Sequence, residues 1–76
     1  MPVKQVTYLK DYKLMIVFTN GKKKIHDFKN FLFSNSTTWA VKYRDTNLFK
    51  NFKVDNTGSI TWGNNEMDFN HYNLPN

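Results

Sequence analysis

Apolar and polar residues alternate with the two-residue period of strands in several stretches of this chain, and the departures from it mark where the chain does something else. Val3, Val6 and Tyr8 alternate in part, Lys10-Asp11 turns the chain, and Tyr12 to Thr19 follows as an almost continuous apolar run. Such a run predicts a strand buried on both faces or nearly so. Asn20-Gly21 is the strongest short turn signal, and Lys22 to Phe28 then reads as a third strand. The three segments predict an antiparallel meander with Leu14–Phe18 at its centre. Phe28, Phe31, Leu32 and Phe33 instead take the spacing of a single helical turn lying on the sheet.

Beyond the Ser34–Thr38 loop, Trp39–Tyr43 fits strand and helix equally, while Asp45 opens a short capped turn ending at Phe49. Phe52 and Val54 alternate with Lys53 and Asp55, and Ile60 and Trp62 flank Thr61. Between these arms Asn56-Thr57-Gly58 offers residues that tolerate positive φ, so the stretch predicts a second hairpin with Trp62 in the core. An irregular C-terminal tail follows. The predicted fold class is α+β: a β-meander, a short helical segment, a second β-hairpin and that tail, in one domain spanning residues 1–76.

Length then limits the core, because a 76-residue chain buries only roughly 60% of its unfolded surface. No cysteine is present, so stability has to come from packing. Seven Phe, four Tyr and two Trp supply it, each contributing on the order of 2–3 kcal/mol when fully buried. The longest aliphatic run, Leu14–Phe18, is too short for a membrane span or signal sequence, and a cytoplasmic protein is expected.

The order and spacing of Val6, Asp11-Tyr12 with Leu14, Phe18-Thr-Asn-Gly21, Asp27-Phe28, Asp45 with Phe49, Val54-Asp55, Ile60-Thr-Trp62, Asp68-Phe69 and Leu74 resemble a bacterial family of small domains of unknown function, family 2442. The resemblance runs nearly end to end and implies a compact α+β domain. Members of that family stand alone, beside other small proteins in arrangements suggestive of toxin–antitoxin pairs, or fused to helix-turn-helix domains. The family's usual proline after the tryptophan is Gly63 here, and Asn70-His71 replaces its Asp-Pro-Asp-like step, so a different path is expected for the closing loop.

Reactive constellations are sparse. His26 and Asp27 are adjacent on a predicted strand and point to opposite faces, which defeats a base–carboxylate pair. Ser34, Ser36 and Ser59 lack a strained elbow or Gly-rich oxyanion loop. Glu66, Asp68 and His71 suit a divalent metal by chemistry, but they lack ligands from a rigid element, and Asp68 is expected to cap the closing loop instead. No catalytic residue, metal or cofactor is therefore expected. The net charge of +5 and the candidate basic patch Lys22, Lys23, Lys24, Lys29 and Lys42, beside aromatics such as Tyr12, suggest weak nonspecific nucleic-acid binding as one alternative. A single arginine argues against base readout. The leading expectation is a non-enzymatic, protein-binding accessory domain of a bacterium or mobile genetic element, possible interface anchors being Trp39, Tyr43 and Tyr72. It would be an antitoxin-like partner or, alternatively, a phage-encoded inhibitor of a nucleic-acid enzyme of the anti-CRISPR kind. Homodimerisation through a sheet edge is open to it as well.

Overall fold

A computed structural model describes residues 2–75. Strands β1 (Val3–Tyr8), β2 (Lys13–Phe18) and β3 (Lys23–Asp27) form an antiparallel sheet in the order β1-β2-β3. Helices α1 (Lys29–Ser34), α2 (Thr38–Lys42) and α3 (Thr46–Phe49) follow. A second antiparallel sheet of β4 (Lys53–Val54), β5 (Ile60–Trp62) and β6 (Met67–Phe69) completes the α+β fold.

The meander and its central strand are as the alternation predicts, but β2 is not buried on both faces. Leu14 and Ile16 are fully enclosed, whereas Lys13, Met15 and Val17 on the opposite face keep solvent contact. The reason lies in the architecture: core side chains from the helices and the second sheet pack against Leu14 and Ile16, on one face only. Trp39–Tyr43, ambiguous in the sequence, is helical through Lys42. Ala40 and Tyr43, three apart, are buried while Val41 and Lys42 are exposed, the helical rather than the two-residue period. Asp45 caps α3 as expected, its carboxylate accepting from the Asn47 N–H at 2.9 Å.

The tail is less irregular than its sequence suggests. Met67-Asp68-Phe69 alternates inward and outward and pairs with β5, so the predicted hairpin is a three-stranded meander. Asp68 sits on the exposed face of β6. The closing turn is held by asparagines instead: Asn70 N–H donates to Asn73 Oδ1 at 2.7 Å and Tyr72 N–H to Asn70 Oδ1 at 2.8 Å.

Two hairpins share one turn. Gly21 N–H donates to the Phe18 carbonyl and Phe18 N–H to that of Lys22; Gly58 N–H donates to Asp55 and Asp55 N–H to Ser59. Both are three-residue loops closed by a glycine in the left-handed region, at φ +87° and +81°. Gly58 has a second task, because its carbonyl accepts from Val3 N–H at 2.9 Å and so ties β1 to the β4–β5 turn. The β1–β2 turn differs. Asp11 and Tyr12 both have positive φ, as a type I′ turn requires, and the Tyr12 ring is folded into the core rather than standing open on a strand.

Trp62 is fully buried, stacked on Phe49 at 5.5 Å and touched by Phe28, Phe52, Phe69 and Tyr43. Its indole N–H donates to the Phe49 carbonyl. Trp62→Ala should therefore lose about 3–5 kcal/mol in urea denaturation, from lost burial and the cavity left behind.

The glycines separate strain from space. A Cβ at Gly21 would meet nothing within 4 Å, whereas one at Gly58 would lie 2.3 Å from the Pro2 Cβ. Gly21→Ala is expected to cost about 1–2 kcal/mol through the backbone alone, and Gly58→Ala distinctly more. Equal losses would mean that the Pro2 contact does not constrain the turn.

Asp55 gives the second turn an acid dependence. Its carboxylate accepts from the Thr57 hydroxyl at 2.7 Å and the N–H groups of Ser59 and Thr57 at 3.0 Å each, which hold its pKa below the ordinary 3.8. A depressed pKa contributes stability that is present above the unfolded value and lost as pH falls through the folded one. The melting-temperature gap between the parent and Asp55→Asn should thus be widest near neutrality and close below about pH 4.

Candidate functional site

Alternation in β1, β2 and β3 builds the most distinctive surface of the molecule. Register places Thr7, Met15 and Ile25 in one row across the outward face of the sheet, and Gln5, Val17 and Lys23 in the next. A third row holds Leu9, whose N–H donates to the Lys13 carbonyl, with Lys13 and Asp27. Ile25 is 52% exposed and Leu9 42%, while Met15 and Val17 are half-buried by their neighbours. Four aliphatic or thioether side chains thus share a face whose charges lie at its ends. Lys13 lies 3.7 Å from Asp11 and 3.9 Å from Asp27.

Of the two edge strands of this sheet, β1 is tied to the second sheet through Val3 N–H and the Gly58 carbonyl, and β3 has no such tie. Two bonds, Phe18 N–H to the Lys22 carbonyl and Phe28 N–H to the Tyr12 carbonyl, fix which residues of β3 bond inward. By antiparallel alternation the N–H and C=O groups of Lys22, Lys24 and His26 serve β2, and those of Lys23, Ile25 and Asp27 face away from it. Among the described residues no backbone group pairs with these three on the open side. Beside the same strand, Phe18, Lys22, Lys23, Lys24 and His71 line a hollow of about 220 Å³. His26 closes off nearby, its Nδ1–H donating to the Pro75 carbonyl at 2.8 Å while Nε2 has no partner.

The basic residues singled out in the sequence do not form one stripe. Lys22, Lys23 and Lys24 stand together, but Lys29 pairs with Asp11 at 3.2 Å and Lys42 with Glu66 at 2.8 Å. Lys42 lines a separate open hollow of about 500 Å³ with Asn51, Lys53, Gly63, Asn64 and Glu66. There the Tyr43 hydroxyl also donates to Glu66, at 2.7 Å. The ammonium and then the phenol hold the Glu66 carboxyl below its usual range, while burial first and then Glu66 push the Tyr43 phenol up.

Of the three proposed anchors, only Tyr72 is open, at 85% exposure. Tyr43 is a core residue at 3%, its ring edge against Trp62, and Trp39 is half-buried, stacked on Phe31 at 5.6 Å. Tyr12, expected beside the lysines, is buried with its hydroxyl donating to the Arg44 carbonyl. Sequence reasoning instead missed Leu9, Met15, Val17 and Ile25. Their signal was present in the two-residue offset from Leu14 and Ile16, but a run apolar on both faces does not say which face will be covered.

His26 and Asp27 diverge as the strand dictates: the imidazole turns inward and the carboxylate accepts from the Lys29 N–H at 2.9 Å. Among the described residues no three His, Cys, Asp or Glu side chains gather as a metal site, and Glu66 is engaged by Lys42 and Tyr43. No helix among them is long and apolar enough to cross a membrane.

No curated protein and no solved structure matches the chain. A family described as "Protein of unknown function (DUF2442)" matches residues 3–74, from the first residue of β1 to beyond the last strand of the second sheet. With every element of the described residues inside that match, the chain belongs to the DUF2442 family.

Proposed function

We propose that this chain is a non-enzymatic protein-binding domain of the bacterial cytoplasm, an accessory partner of the antitoxin type, and that it engages its partner with the outward face of the first sheet. The observation that carries this reading is the open apolar row of Met15 and Ile25, flanked by Leu9 and Val17, on the rigid floor of a three-stranded sheet. Apolar side chains grouped on a regular element, rimmed by Lys13, Lys23 and Asp27, have the composition of an interface core with a charged border. The groups suited to chemistry are committed elsewhere, Glu66 to Lys42 and Tyr43, and Asp27 to the start of α1.

The test uses two outward residues away from the sheet edge. Leu9→Glu combined with Met15→Glu should leave the far-ultraviolet circular dichroism and the hydrophobic core intact, because neither side chain packs inward. Affinity for the protein encoded beside this chain, measured by isothermal titration calorimetry, should fall at least about tenfold, equivalent to about 1.4 kcal/mol. Lys53→Glu, in the hollow around Lys42, should leave it unchanged. A double variant that is folded and binds like the parent would sink the proposal.

A further inference from the structure

We propose that two copies of the chain pair antiparallel through β3, with Ile25 on the two-fold axis, to make one continuous six-stranded sheet. The inference goes beyond the protein-binding reading and stands on a different observation: the open edge of β3 is complementary to itself. Its outward-bonding residues are Lys23, Ile25 and Asp27, so the edge carries a cation, an apolar centre and an anion in that order. Turned about a two-fold axis, the same edge reads anion, apolar, cation. Lys23 then stands opposite Asp27 of the second copy, twice, and Ile25 stands opposite Ile25 of the second copy.

This register satisfies every free group. Three residues contribute three N–H donors and three carbonyl acceptors per copy, and with Ile25 facing its mate they form three hydrogen-bonded pairs, hence six bonds. Sliding by two residues in either direction leaves two such pairs and four bonds. One slide sets Lys24 against Lys24 and removes the charge pairing; the other sets His26 against His26. Hydrogen bonding and charge therefore select the same register.

The neighbouring side chains agree with it. Asp27 already faces Lys13 within its own sheet, so across the joint the row runs Lys13, Asp27, then Lys23 of the second copy, with charge alternating in sign. The adjacent row runs Met15, Ile25, then Ile25 and Met15 of the second copy. That doubles the apolar strip on the outward face without a break. Lys22 and Lys24 project from the other face of β3, where Lys24 meets His26 of the second copy rather than another lysine. Lysines on an edge strand ordinarily discourage pairing, but here one of them is matched by a carboxylate at the dyad-related position.

Because the chain has no cysteine, one introduced thiol reports the contact directly. Hydrogen-bonded antiparallel partners have Cα atoms about 5.5 Å apart, inside the roughly 4.4–6.8 Å a disulfide spans. Ile25→Cys should therefore form a covalent dimer under mild oxidation, whereas Lys23→Cys and Lys10→Cys should stay largely monomeric. In sedimentation equilibrium, Lys23→Asp should weaken self-association at least about tenfold by setting like charges opposite each other, whereas Lys23→Arg, which keeps the charge, should leave it intact. The Leu9 and Met15 double variant should still dimerise, which separates a failure here from a failure of the protein-binding reading. The proposal is overturned if the parent stays monomeric at about 1 mM, where a dimer with a Kd of about 1 mM or below would be populated. It is equally overturned if Ile25→Cys cross-links no faster than Lys10→Cys, or if the edge amides of Lys23 and Ile25 gain hydrogen-exchange protection only when an acidic peptide or an oligonucleotide is added.

Discussion

The fold depends on a single indole. Trp62 arrives on the middle strand of the second sheet, stacks on Phe49 at the end of α3 and touches Phe28 at the start of α1. Its N–H donates to the Phe49 carbonyl, so the one polar atom of the side chain is satisfied where the residue is fully buried. Phe69, Phe52 and Tyr43 close around it from β6, the β4 approach and α2. Helices of four to six residues have little stability of their own, and this packing is what holds them. Aromatic area replaces the cross-links that a chain of this length otherwise requires.

Arg44 has the complementary polar role. Its Nε–H donates to the Leu32 carbonyl at 2.9 Å and its Nη2 to that of Asn35 at 3.2 Å, satisfying groups at the end of α1, while the guanidinium lies over the Phe33 ring. The Tyr12 hydroxyl donates to the carbonyl of the same arginine. A turn in the first sheet and two helices are thus joined at one residue. Its planar fork explains why the single arginine is an arginine, since a lysine presents no such pair of directed donors.

Most of the scaffold was legible in the sequence because local chemistry dictated it. Asn20-Gly21 and Asn56-Thr57-Gly58 require backbone that few residues tolerate, Asp45 offers an oxygen to free N–H groups, and β5 shows its period in Ile60 and Trp62. What local chemistry leaves open was misread. Tyr12 and Tyr43 look like exposed aromatics until distant residues enclose them, and Met67-Asp68-Phe69 is too short to declare itself a strand without β5 beside it. The basic stripe dissolved for the same reason. Lys29 and Lys42 are distinguished from Lys22–Lys24 only by the carboxylates of Asp11 and Glu66, which the fold brings to them. The open face of the first sheet was hidden because β2 is apolar on both sides, and such a strand reads identically whether a helix or a partner covers it.

The bond from Val3 N–H to the Gly58 carbonyl joins the first strand to the turn between β4 and β5, residues far apart along the chain. Each sheet is a local meander, built from neighbouring strands and short loops, and such hairpins assemble on microsecond timescales of about 1–10 μs. Bringing the β4–β5 turn onto β1 instead closes a loop containing both the remainder of the first sheet and all three helices. The entropy of that closure is lost before its contacts are gained, so this bond is a long-range element in a fold otherwise built from local pairings.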